Sequence, residues 1–108
     1  MQAALEALSD PTRRRIVEEL AASERTAGEL AALFDISRPG VSRHLRVLRE
    51  AGLVRSEPDA QRRVYSLATE PLAEIDTWLS RHRDLWTQRL QALDTEIARG
   101  RRARKERT

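Results

Sequence analysis

Residues 26–50 constrain the chain more than any other stretch, because they hold two short amphipathic segments with only three residues between them. Thr26 and Glu29 have the T-x-x-E spacing of a capping box, just ahead of the apolar Leu30, Leu33 and Phe34. That spacing predicts a helix of two to three turns. Asp35-Ile36-Ser37 follows: Asp tolerates the left-handed backbone of a tight turn, and Ser37 is a good N-cap. The next helix is expected from Arg38 to about Glu50, with Val41, Leu45 and Leu48 stepping by four and three as a narrow buried face. Arg38, Ser42, Arg46 and Arg49 recur on the other side, and Ala51-Gly52 closes the helix with glycine at the C′ position. Two helices this short, joined by three residues, make a helix-turn-helix. The second has the polar, arginine-rich face that a groove reader requires.

The flanking segments complete one domain. A first helix is expected over about residues 2–8, with Leu5 and Leu8 on one side. Asp10 then reads as an N-cap and Pro11 as the first residue of a helix reaching about Ala22, with Ile16, Val17, Leu20 and Ala21 as its apolar stripe. After Gly52 the period changes. Leu53–Ser56 and Arg62–Leu67 are short β-favouring runs, and Glu57–Gln61 is a polar, proline-containing connection. A hairpin directly after a recognition helix is a wing.

Thr69-Glu70-Pro71 punctuates again, and a long helix is expected to about Arg99. Leu72, Ile75, Leu79, His82, Trp86, Leu90, Leu93 and Ile97 step by three and four along it, widened by Trp78 and Leu85. Such a helix is roughly 42 Å long, too long to lie against a small core throughout. Burial against a second copy is the simplest remedy, with both tryptophans in that interface.

The formal net charge is +3, but its distribution is uneven. Arg38, Arg43, Arg46, Arg49, Arg55, Arg62 and Arg63 face only Glu50, Glu57 and Asp59 within residues 36–68. Arg99, Arg101, Arg102, Arg104, Lys105 and Arg107 face only Glu106 in residues 99–108. A local basic surface on an otherwise acidic body suits nucleic acid. The terminal run has three readings: a helical extension, an electrostatic contact to DNA, or a disordered, solvated tail.

There is no cysteine, which removes disulfides, zinc-finger ligands and thiol redox chemistry together. His44 and His82 are the two histidines, so a transition-metal site would need carboxylates for most of its ligands. No cofactor and no metal are expected. Glu6 and Asp10 interrupt the only apolar stretch near the N-terminus, and no run approaches a membrane span. A cytoplasmic chain is expected. No Ser/His/Asp set, phosphate loop or paired carboxylate cluster points to an enzyme.

The order and spacing of these segments resemble the ArsR/SmtB group of winged-helix repressors over about residues 3–98. LSDPTRRRIVEEL at Leu8–Leu20 is similar to the opening of that family's second helix. ELAALFDISRPGVSRHLRVLREAGLV at Glu29–Val54 is similar to its helix-turn-helix and strand entry, and QRRVYSL at Gln61–Leu67 to its wing return. The resemblance implies homodimeric operator binding and release of DNA on an inducing signal. Many relatives sense metals through cysteines in the third helix or acidic and histidine residues in the last. Here the third helix has no thiol, and Asp76 and His82 do not share a helix face. The chain is therefore expected to be a cysteine-free member that does not sense metals, its inducer unnamed.

The expected architecture is mainly α with a small β-hairpin: four helices, the wing and a long fifth helix, dimerising through the terminal helices. Residues 1–98 form the DNA-binding and dimerisation domain, and 99–108 the basic tail. DNA contacts are expected from Ser37, Arg38, Gly40, Ser42, Arg43 and Arg46, with Ser42 and Arg43 foremost at the base edges and Arg38 and Arg46 flanking, and from Arg62 and Arg63 on the wing. Strand alternation points the two wing arginines to opposite faces, so one alone should reach the backbone or minor groove. Ser37 is foremost a cap. Gly40 either permits close backbone approach to DNA or has no special role. His44, at the edge of the buried face, is expected to be packed. The dimer interface is expected from Leu5, Leu8, Leu72, Ile75, Trp78, Leu79, His82, Trp86, Leu90 and Leu93. The function expected is a sequence-specific, homodimeric transcriptional repressor of a pseudo-palindromic duplex. The alternative is a winged-helix module that binds protein, which would need an apolar recognition face.

Overall fold

The computed structural model describes residues 1–107, with side chains for residues 1–102. In chain order the elements are α1 Gln2–Ala7, α2 Pro11–Ala22, β1 Arg25–Thr26, α3 Ala27–Phe34, α4 Arg38–Glu50, β2 Val54–Asp59, β3 Arg62–Leu67 and α5 Glu70–Arg107. Two compact units divide the chain, one ending at Ile75 and the other beginning at Asp76.

Local chemistry sets the boundaries in the first unit. The Asp10 carboxylate accepts from the Arg13 backbone N–H at 2.9 Å, and Pro11 starts α2 behind it. Arg13 Nε donates to the Ala7 carbonyl at 2.6 Å and Arg14 Nη1 to the Leu8 carbonyl at 2.8 Å, so two arginines of α2 satisfy the orphan carbonyls that end α1. The Thr26–Glu29 capping box forms in both directions. Asp35 ends α3 in the left-handed region at φ 53°, and Ser37 Oγ accepts from the Gly40 N–H to open α4.

The core joins α1 (Ala4, Ala7), α2 (Ile16, Val17, Leu20), α3 (Leu30), α4 (Val41, Leu45, Leu48) and the start of the hairpin (Leu53, Val54). Fully burying one such leucine stabilises by about 1.5–3 kcal/mol. Leu33, on the sequence stripe of α3, is instead half exposed. An eight-residue helix buries a narrower stripe than its apolar composition suggests.

Three other features differ from the sequence reading. The sheet has three antiparallel strands in the order β1-β3-β2, not two. Arg25 pairs with Tyr65 and Thr26 with Val64. Two residues carry no period, and Thr26 serves both as strand residue and helix cap, since an N-cap already has extended backbone. The hairpin is also longer, Val54–Asp59 against Arg62–Leu67, with Asp59 paired to Arg62 across the two-residue turn Ala60-Gln61. Pro58, expected in the connection, lies in β2, an edge strand, where proline is tolerated. Lastly, α5 continues to Arg107 rather than ending near Arg99. The added residues are mostly strong helix formers, with Gly100 the exception. Of the three readings of the basic segment, residues 99–107 follow the helical one; Thr108 lies outside the described residues.

Candidate nucleic-acid interface

Helix α4 buries Val41, Leu45 and Leu48 and leaves Arg38, Ser42, Arg43, Arg46 and Arg49 exposed. Its exposed surface has two flanks. Arg38 and Ser42 line a shallow cleft of about 340 Å³ together with Thr26–Gly28 at the start of α3 and Gln61, Arg62, Arg63 and Tyr65 of the hairpin. Gly40, Arg43 and Arg46 border a broader depression of about 530 Å³ on the other flank, with Arg13, His44, Val47 and Glu50. Seven of the eight residues expected at the interface therefore fall into two groups around one helix, and Ser37 is exposed at its start.

The glycine at position 40 has a reason that neither sequence alternative supplied. A Cβ there would meet Ile36 Cγ2 at 3.0 Å and Ser37 Oγ at 3.1 Å. The turn and the cap need that space. His44 is half-buried at the edge of the depression, as a packed residue would be.

On the wing, Arg62 pairs with the Asp59 carboxylate at 3.2 Å, and Arg63 Nη1 donates to Ser56 Oγ at 2.9 Å. Both border the same cleft, although alternation sets their Cβ atoms on opposite faces. Long side chains at the end of a strand override that parity. Among the described residues, Arg38, Arg43, Arg46 and Arg63 have no carboxylate within ion-pair distance, whereas Arg25, Arg55 and Arg62 do.

Two carboxylates of the first unit are tied to their neighbours. Glu29 is held below the usual carboxylate range by the Thr26 backbone N–H, then by the Thr26 hydroxyl and the charges of Arg25 and Arg62. Glu70 is lowered by its own backbone N–H and by Arg55. Tyr65 and Gly28 line the same cleft and were not among the residues expected from the sequence. The signal for Tyr65 was available, since it shares a strand face with Arg63 two residues away.

A helix-turn-helix domain family matches residues 8–57. The transcriptional regulator Rv2034 of Mycobacterium tuberculosis is 46% identical, over 86% of this chain and 88% of that protein. The transcriptional repressor SdpR of Bacillus subtilis is 38% identical, over 73% of this chain and 88% of that one. An ArsR-like transcriptional regulator from Rhodococcus sp. RHA1 has a solved structure that superposes with a TM-score of 0.70 at 32% identity, covering 85% of this chain and 87% of that one. The chain belongs to the ArsR/SmtB family of helix-turn-helix transcriptional regulators. The solved homodimeric winged helix-turn-helix DNA-binding domain of Mb0332 from Mycobacterium bovis is also similar, with a TM-score of 0.63 at 25% identity over 77% of each chain.

For this ArsR/SmtB member, the residues expected to pair two copies divide by unit. In the first, Leu8, Leu72 and Ile75 pack on the core of their own domain, and Leu5 is 47% exposed. In the second, Trp78, Leu79, Trp86, Leu90 and Leu93 are all exposed, Leu90 to 63%. His82 is half-buried between Trp78 and Trp86, with ring centroids 4.7 and 5.8 Å away, and its Nδ1 lies 2.8 Å from the Trp78 carbonyl oxygen. Three aromatic rings thus meet along one helix face, His82 stacked on Trp86 and Trp78 edge-on to Trp86. Among the described residues no three His, Asp or Glu side chains come close enough to hold a metal, and no helix is long and apolar enough to cross a membrane.

Proposed function

We propose that this chain is a cytoplasmic, homodimeric repressor that binds a pseudo-palindromic operator, acting by binding and not by catalysis. In this reading residues 1–98 supply both DNA binding and dimerisation, and the basic residues beyond add electrostatic attraction. The observation that carries it is the face of α4: Arg38, Arg43 and Arg46 are exposed with no carboxylate within ion-pair distance among the described residues, beside a wing that bears Arg63. An arginine-rich helix next to a basic hairpin suits a polyanionic duplex, where phosphate neutralisation supplies affinity and arginine supplies base readout. The exposed apolar stripe of α5 supports the pairing of two such reading heads, as does the homodimeric relative.

Selection of bound sequences from a random duplex pool tests this reading. The expected result is an inverted repeat with half-sites about one helical turn apart. An asymmetric single half-site at saturation, or no duplex binding at low ionic strength, overturns it.

A further inference from the structure

The cleft between α4 and the hairpin has a composition that base reading does not explain. It lies to one side of the helix, and it gathers residues from three separate elements: Gly28 of α3, Arg38 and Ser42 of α4, and Arg63 and Tyr65 of β3. Two of its three arginines, Arg38 and Arg63, have no carboxylate partner among the described residues. The side chain of Arg38 lies over Gly28, where a Cβ would come within 3.6 Å of Nη1. No described residue forms a hydrogen bond with the Tyr65 hydroxyl. Guanidinium donors, a serine hydroxyl and a phenol around a small, open volume form a donor-rich seat for one tetrahedral anion. The depression on the other flank is broader and contains Glu50, so it lacks this one-sided character.

Resting on the DNA-binding reading above, we infer that this cleft seats a single backbone phosphodiester of the bound duplex, held by Arg38, Arg63 and Tyr65. Recognition helix and wing then grip the same phosphate, which fixes the depth and register at which Arg43 meets the bases. Contacts of this kind position a protein on DNA and carry no sequence information of their own.

The test places a carboxylate in the seat without disturbing the fold. Gly28 is the second residue of α3, where an acidic side chain favours a helix and glycine does not. Gly28→Asp is therefore expected to melt no lower than wild type while setting an anion against Arg38. Affinity should fall about tenfold or more on every duplex tested, specific or not. The slope of log K against log salt should flatten by about 1. Gly28→Ala, which adds a methyl group but no charge, should lose less affinity than Gly28→Asp, and Tyr65→Phe should weaken all duplexes alike.

A walk of single neutral methylphosphonate linkages through the selected operator should find one position per half-site that weakens wild type but not Gly28→Asp. Wild-type affinity and slope for Gly28→Asp, or a loss confined to certain base sequences, would overturn the seat while leaving the repressor reading intact. Failure of the wild-type chain to bind any duplex would remove both.

Discussion

Arg43 and Arg38 lie on one helix but border different surfaces of it. At about 100° per residue, Arg43 stands roughly opposite the direction set by Val41, Leu45 and Leu48, so it projects furthest from the domain. Arg38 leans toward the hairpin, in the cleft with Ser42. Arg43→Ala should therefore cost about 1–3 kcal/mol of discrimination at one base position per half-site, with the salt slope nearly unchanged. Quantitative binding to the selected operator and its single-base variants checks this. A uniform loss across sequences, with a flattened slope, would move Arg43 to the phosphate group. The sequence names both arginines as DNA contacts, with Arg43 first at the base edges and Arg38 flanking it. Their division needs the position of the wing, which the pairing of β3 with β1 and β2 sets and which no local period encodes.

At the scale of elements, the caps were the most readable features, because each is a short-range bond between neighbours in sequence. Asp10, Thr26, Glu29, Asp35 and Ser37 all occupy the positions their chemistry implied. β1 was not readable, since its partner lies about 40 residues away and its two residues make no pattern. The hairpin turn was missed for a related reason. Ala60 takes φ 57°, a conformation that glycine or asparagine would have signalled and alanine does not.

The Asp10 cap of α2 gives a measurable consequence. Its carboxyl is lowered from 3.8, first by the Arg13 backbone N–H, against a cost of desolvation, and more weakly by the charges of His44 and Arg13. A carboxylate whose native value is depressed contributes stability above its unfolded value and loses it as pH falls through the native one. Asp10→Ala should cost about 1 kcal/mol at neutral pH. The difference between wild type and variant in urea melts should narrow below about pH 4, as the carboxyl protonates in both states. A difference that stays constant to pH 2.5 would mean that the charge of Asp10 contributes nothing to the cap.

For the molecule as a whole, the decisive quantity is apolar surface with nothing on it. Trp86, Leu90, Leu93 and Ile97 are between 40% and 63% exposed, on a helical segment that has no other element in its own unit. A contiguous stripe of this kind marks an interaction surface, and a two-fold axis would let each copy cover the other with the same residues. The steps His82, Trp86, Leu90 and Leu93 run four, four, three, an eleven-residue spacing that relaxes the left-handed supercoil of a strict heptad. Two paired α5 helices should therefore run straighter through Trp86–Leu93 than a heptad coil would. Because a symmetric interface holds every substitution twice, Leu90→Asp with Leu93→Asp would bring four carboxylates into apolar surroundings, each costly to desolvate. Sedimentation equilibrium should show wild type as a dimer at micromolar concentration and the double variant as a monomer. The first unit of that monomer should keep its fold, since its core is built from residues 4–54. Its binding to an inverted repeat should drop to the affinity of an isolated half-site, with the salt slope roughly halved as one reading head is lost. A double variant that sediments as a dimer would place the pairing surface elsewhere, leaving the stripe on α5 without the partner assigned to it.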